Sequence, residues 1–216
     1  MAVKKLKKDA LGSLAYERIK QMISDGALGP GERIGKQELA DTLGVSQTPV
    51  SEAINRLAGE GLIEQRERAG YFIKTFSYED LNELFAVRAA LEGISLRLAV
   101  EQLPQERLDE LGRFFQDFEL PLDERQMTRY LKEDKAFHEK IVEFSDNSVI
   151  INFERSFDFV LKSYSKGLIR PPEQTLEEHR AIIRAVMSRN AEAAQELVMQ
   201  HDLKSRDVIR RRHLRT

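Results

Sequence analysis

Apolar residues recur at helical spacing along most of the chain, and short turn signals cut that pattern into segments. In residues 10–25, Leu14, Ile19, Met22 and Ile23 fall near a 3.6-residue period, which predicts a helix. Gly26, Gly29, Pro30 and Gly31 break it. A short helix is expected over 37–43, then a tight break at Gly44-Val45-Ser46. A second helix runs to about Gly59 with Ser46 as its N-cap. Pro49 falls in its first turn, where a missing N–H costs little. Residues 62–66 and 70–74 read as two short strands, and Arg68-Ala69-Gly70 between them suits a hairpin. Helix, helix-turn-helix and hairpin in this order predict a winged helix-turn-helix with a small β-hairpin wing.

Beyond Thr75 the helical period continues almost without interruption. Ser77 reads as an N-cap, with Asp80 three residues on in place of the usual Glu of a capping box. Six helices are expected, over about 78–101, 104–118, 123–145, 148–165, 174–188 and 190–212, punctuated by Pro104, Pro121 and Pro171-Pro172. The expected fold is mainly α: a winged helix-turn-helix over 1–75, then an antiparallel all-α helical bundle over 76–216.

Composition narrows the classes. With 41% apolar and 32% charged residues, the chain can build cores behind a charged surface. It holds no cysteine, which excludes disulfides and thiolate metal sites. It has no apolar run of about 18 residues, so no transmembrane helix is expected, and the lysine-rich start lacks the apolar stretch of a signal peptide. A cytoplasmic location is the expectation. Residues 1–75 hold 12 Lys/Arg against 10 Asp/Glu, or +2; the whole chain is −2, so the remainder is −4. That split is too mild to identify a DNA-binding protein by charge.

A helix-turn-helix sets the N-terminal side chains of its second helix on base edges in the major groove. Here these are Ser46, Gln47, Thr48 and Ser51, with Asn55 and Arg56 further along. Lys36, Gln37, Arg66, Arg68 and the wing around Gly70 are placed to meet phosphates or the minor groove. Lys4, Lys5, Lys7 and Lys8 either add phosphate contacts or form a solvated tail. The stretch GPGERIGKQELADTLGVSQTPVSEAINRLAGEGLIEQRERAGYFI resembles the winged-helix domain of GntR-type bacterial regulators. That resemblance implies DNA binding as a homodimer on a palindromic operator. Members of that family commonly carry Arg where this chain has Gln47 and again where it has Ser51. Arg to guanine is the commonest specific base contact, so the resemblance implies an altered operator.

Asp134, His138, His179 and His201 form a second pattern. Asp134 and His138 are four apart and share a helix face. His179 and His201 each lie 11 residues from Asn190, in an expected helix-to-helix turn, so folding back there sets them opposite each other. Each residue alone also reads as a surface carboxylate or a half-buried histidine. Together they form a divalent-metal constellation. The second half, through LFAVRAALEGISLRLA, KEDKAFHEKIVEFSDNSVI and EEHRAIIRAVMSRNAEAAQELVMQH, resembles the helical effector (FCD) domain of the FadR-type branch, and its six helices resemble the shorter VanR-like subgroup. The resemblance implies a divalent metal on these four residues, Zn or Ni by ligand type. It also implies that Arg88 faces a small carboxylate effector, a role its fork geometry suits; an Arg88–Glu92 pair on a helix surface is the alternative. Tyr130, Asn152, Phe157 and Tyr164 are further pocket candidates.

The function expected is a DNA-binding transcriptional regulator, a repressor by the commoner family mode, controlled by a small organic acid beside the metal. The alternatives are a regulator for which the metal is the signal and, less favoured, a metal-dependent enzyme. Against the enzyme, the site has no general base such as the His-Glu pair of HExxH motifs.

Overall fold

The computed structural model describes residues 2–154 and 170–213. Phe157, Tyr164 and most of the helix expected over 148–165 lie outside the described residues, as do the side chains of Lys4, Lys5, Lys7 and Lys8. The described chain forms two compact units, the first ending at Phe76 and the second starting at Ser77.

The first unit sets α1 (Ala2–Ser24), α2 (Lys36–Leu43) and α3 (Gln47–Gly59) with a three-stranded antiparallel sheet. Its strands are β1 (Arg33–Ile34), β2 (Ile63–Arg66) and β3 (Gly70–Ile73), in the order β1-β3-β2. Ile19, Val50, Ala53, Ile54, Leu57 and Ile63 are buried and form the core of this unit. Gly44 ends α2 at φ 65, a conformation that favours glycine. Ser46 holds the N-cap position of α3 in an extended conformation, yet its hydroxyl makes no capping bond. The hairpin pairs Ile63 with Ile73 and Arg66 with Gly70. Strand β1, paired through Arg33 with Phe72, was not expected, since two residues are too few to show alternation.

The second unit is helical: α4 (Tyr78–Gln102), α5 (Gln105–Gly112), α6 (Glu124–Glu143), helical turns over 148–154, α7 (Pro172–Met187) and α8 (Ala191–His213). Ser77 and Asp80 make the capping box at the start of α4. Helix α5 stops short of the expected 118. Phe115 turns to φ 58 and drops with Phe118 into the core, beside Tyr130, Phe137, Leu108 and Ile182. Arg180 donates to the carbonyls of Phe115 (3.1 Å) and Phe118 (2.7 Å), replacing the backbone partners a longer helix would supply. At the turn after α7, the Asn190 side chain accepts from the Ala193 N–H at 3.0 Å and so starts α8.

Candidate metal centre and nucleic-acid interface

Three helices of the second unit each contribute one histidine to a single point. His138 lies on α6, His179 on α7 and His201 on α8; all three are buried, and one ring nitrogen from each lies within 4.8 Å of the others. The fold-back at Asn190 brings the rings of His179 and His201 to 4.4 Å between centroids. Asp134, one turn before His138, is only partly buried and sets Oδ1 3.5 Å from His179 Nε2.

Hydrogen bonds at Nδ1 decide which nitrogen each ring offers. The Tyr130 hydroxyl lies 2.7 Å from Thr175 Oγ1; when Thr175 donates to the carbonyl of Pro171 (3.4 Å), its oxygen accepts from Tyr130. Tyr130 oxygen then accepts from His179 Nδ1–H at 3.0 Å, and the lone pair of His179 is on Nε2. That Nε2 is buried and has no hydrogen-bond partner among the described residues. Phe115 stacks on the His179 ring, with centroids 4.3 Å apart and planes 8° apart, and fixes its orientation.

The other two histidines are held by carboxylates. His138 Nδ1 donates to Glu92 Oε2 at 2.5 Å, and Glu92 in turn accepts from Arg88 Nε at 2.6 Å. His201 Nδ1 donates to Glu178 Oε2 at 2.9 Å. Glu178 is gripped by both terminal nitrogens of Arg170 (3.1 and 2.6 Å) and by Lys204 (2.7 Å). Arg170 Nη2 also lies 3.1 Å from His201 Nδ1; with that nitrogen protonated toward Glu178, the guanidinium is satisfied by Glu178 and by the carbonyl of His201 at 3.0 Å. A carboxylate or hydroxyl on Nδ1, leaving Nε2 facing inward, is the arrangement that supports metal-binding histidines.

Electrostatics follow the same division. Burial pushes His179 well below the usual imidazole range, and the neighbouring His201 and His138 add to this. Burial likewise lowers His201 despite its bond to Glu178. For His138 burial is outweighed by Glu92, and the net shift is upward. Burial raises Glu92, but Arg88 and His138 overcome it and hold its carboxyl at about 2. The buried His138, His179 and His201 can hold a divalent ion; three imidazole nitrogens aimed at one point, one of them orphaned, fit an imidazole-binding metal.

Glu92, Glu178, Arg170 and Asp202 serve this site although spacing did not single them out as its parts. Glu178 immediately precedes His179, yet consecutive helical positions face different directions, so it serves His201 on the next helix. Arg88 does pair with Glu92, but inside the unit rather than on its surface, and it lies 3.6 Å from Asp202 Oδ1. Its guanidinium is therefore engaged by the chain's own carboxylates. Tyr130 is a buried partner of His179, and Asn152 is exposed.

In the first unit, Ser46, Gln47 and Thr48 are exposed at the start of α3, and Ser51 is half-buried. Gln47 Nε2 donates to Gln37 Oε1, which ties the two helices of the motif together. Several of the expected basic contacts are engaged locally. Lys36 lies over the Tyr71 ring, Arg56 over Tyr16, and Arg66 over Phe72 with Glu64 at its head group. Arg68 is exposed at the wing turn, with φ 57, beside Gly70 at φ 101.

A winged helix-turn-helix followed by a helical unit with a buried three-histidine cluster defines a DNA-binding transcriptional regulator that carries a possible metal site. Residues 11–73 match the family of bacterial regulatory proteins named gntR, and residues 83–204 match the FCD domain. The chain belongs to the gntR family and carries its FadR-type FCD domain, and this is a family of regulators rather than enzymes. It is 31% identical over 192 residues to the HTH-type transcriptional regulator YdhC of Bacillus subtilis, covering 86% of this chain and 85% of that protein. It is 31% identical over 183 residues to the Nta operon transcriptional regulator of Aminobacter aminovorans, covering 83% and 85%. In fold it is similar to Escherichia coli McbR/YncC, with a TM-score of 0.72 at 20% identity over 94% of this chain and 98% of that one.

Proposed function

We propose that this regulator is an acid-responsive repressor whose helical domain holds a divalent ion on Asp134, His138, His179 and His201. Residues 1–75 read a palindromic operator as part of a homodimer, through Ser46, Gln47, Thr48 and Ser51 on bases. Arg56 stands further along the same helix, and Lys36, Gln37, Arg66, Arg68 and Gly70 are assigned to the backbone or minor groove. Residues 76–216 bind the ion and the effector and carry the dimer contacts. The cytoplasm, where the operator lies, is its compartment. The six helices expected from the sequence assign it to the shorter, VanR-like subgroup.

The observation that carries this reading is the buried His179 Nε2, which no group among the described residues satisfies. A buried polar atom without a partner is costly, and a metal ion removes that cost. The ion, Zn or Ni by ligand type, supplies a Lewis-acid anchor for a carboxylate. The chain's own residues do the rest: Tyr130, Glu92 and Glu178 hold the three rings, and Phe115 stacks on one of them. Arg88 is assigned to holding Glu92 against His138, with any contact to an acid secondary to that. An acid resets the protein only if it binds one conformation better than the other.

The test uses the full-length protein, its metal content by mass spectrometry, and anisotropy on DNA upstream of its own gene. About one ion per chain is expected, with DNA released by a simple acid such as acetate or succinate. His179→Ala should lose both metal and response while still binding DNA. Metal-free protein that binds DNA and answers acids as well as loaded protein overturns the reading. DNA affinity that tracks metal with no acid present favours the metal itself as the signal.

A further inference from the structure

Helix α4 is apolar on two sides, and the second unit covers only one of them. Phe85, Ala89, Leu96 and Ala99 turn inward and are buried. Leu84, Val87, Leu91, Ile94 and Leu98 follow one another at alternating steps of three and four residues, the heptad spacing of a two-helix seam. They fall within an arc of about 80°, centred about 140° from the buried face. Val87 is 40% exposed and Ile94 36%, while the three leucines are half-buried. A helix that is apolar all round is ordinarily buried. Among the described residues no helix is long and apolar enough to cross a membrane, so a lipid core does not account for the second face.

Charges along one edge of this stripe indicate what covers it. Glu83 is exposed and makes no ion pair among the described residues. Arg97 has Nε 2.9 Å from Glu101 and Nη1 3.2 Å from Gln195, yet its side chain is still 40% exposed. Glu83 and Arg97 are two heptads apart, so they flank the seam on the same edge, near its two ends. A second α4 turned end for end about a two-fold near Ala90 brings each Glu83 to an Arg97 of the other copy. Leu84 then faces Ile94 of the second copy, and Val87 faces Leu91. Ala90, small and exposed, lies near the axis and lets the helices approach. In a parallel pair Glu83 stays level with Glu83 and Arg97 with Arg97, so the opposite charges never meet.

We propose that α4 pairs antiparallel with α4 of a second copy through this stripe, and that the pair is the centre of the homodimer. This rests on the homodimer reading above and names its surface. A two-fold interface uses the same patch on both copies, so the patch must complement itself. The stripe does so in both its apolar length, about 21 Å at 1.5 Å per residue, and its end charges. A foreign partner would require no such end-for-end symmetry.

The experiment measures the dimer dissociation constant of full-length protein by analytical ultracentrifugation, with circular dichroism and metal content as checks on the fold. Ile94→Glu is expected to raise it about a hundred-fold or more, since one substitution enters the interface twice. Glu83→Arg and Arg97→Glu should each weaken the pair about ten-fold, and the double swap should recover most of the loss. Ala90→Cys, in a chain with no cysteine of its own, should be joined to its copy by a short bis-maleimide. The proposal is overturned if folded Ile94→Glu dimerises as tightly as wild type, or if the double swap is no tighter than either single variant. A dimer in which Ala90→Cys fails to cross-link overturns it too. If Ile94→Glu does not fold, the charge swap decides, since both of its side chains reach solvent. A stable dimer that none of these variants disturbs leaves the homodimer reading standing without this face. A protein that stays monomeric, alone and on its operator, removes both.

Discussion

The Tyr130 hydroxyl lies 3.0 Å from His179 Nδ1, and this contact determines which face of the imidazole is free. Tyr130 is on α6 and His179 on α7, so the tautomer of one helix's histidine is set by a hydroxyl on another. The chain continues through Thr175 to the carbonyl of Pro171. The same helix, α6, carries Asp134 and His138, so one helix provides both inward-facing groups and the clamp on the opposite ring.

Removing that clamp is expected to weaken metal binding without dismantling the fold. In Tyr130→Phe, His179 Nδ1 loses its acceptor and the ring populates both tautomers. Metal affinity should fall about ten- to a hundred-fold, the usual cost of losing such a supporting bond. Chelator competition measures it. Unchanged affinity would show that the hydroxyl does not orient the ring.

Glu92 ties Arg88 to His138, so Glu92→Gln leaves a buried guanidinium and imidazole short of their carboxylate. A stability loss of about 3 kcal/mol is expected in metal-free protein, read from urea unfolding. The carboxyl titrates at about 2 in the fold, below its ordinary 4.5. Its contribution is therefore complete above 4.5 and is lost as pH falls through about 2. The gap between wild type and variant should stay constant near neutrality and narrow in acid. A gap that widens in acid would contradict the assignment.

Gly93 lets α4 and α8 approach closely. A Cβ built there would meet Met199 Cγ at 2.6 Å and Sδ at 2.9 Å. Gly93 adjoins Glu92, and Met199 lies two residues before His201. Gly93→Ala should cost about 1–3 kcal/mol and loosen the metal, because the shift displaces both supports. Thermal melting with and without metal separates the two effects. Full stability in the variant would mean that Met199 simply rotates away.

Gln47 is exposed at the start of α3, where an arginine would reach guanine. Gln47→Arg should shift operator preference toward guanine at one position in each half-site, worth about 1–3 kcal/mol of discrimination. Selection from randomised DNA reads this directly. An unchanged preference would place Gln47 away from the bases, held instead by Gln37.

The sequence alone determined the order of the described helices and of the hairpin, because period, caps and breakers are local properties. The helix-turn-helix, the hairpin, the Ser77 capping box and the fold-back at Asn190 were all legible at spacings of a few residues. The His179–His201 opposition followed from counting along two helices. The end of α5, strand β1 and the missing Ser46 capping bond were not legible. The first depends on Phe115 and Phe118 being drawn into a core made elsewhere in the chain, and the second on pairing with distant Phe72. Above all, the partners of each histidine belong to tertiary structure. Glu92 meets His138, Tyr130 meets His179, and Glu178 meets His201, each across two helices. Local spacing names the metal-binding residue types. Only packing aims their nitrogens and spends Arg88 on internal carboxylates.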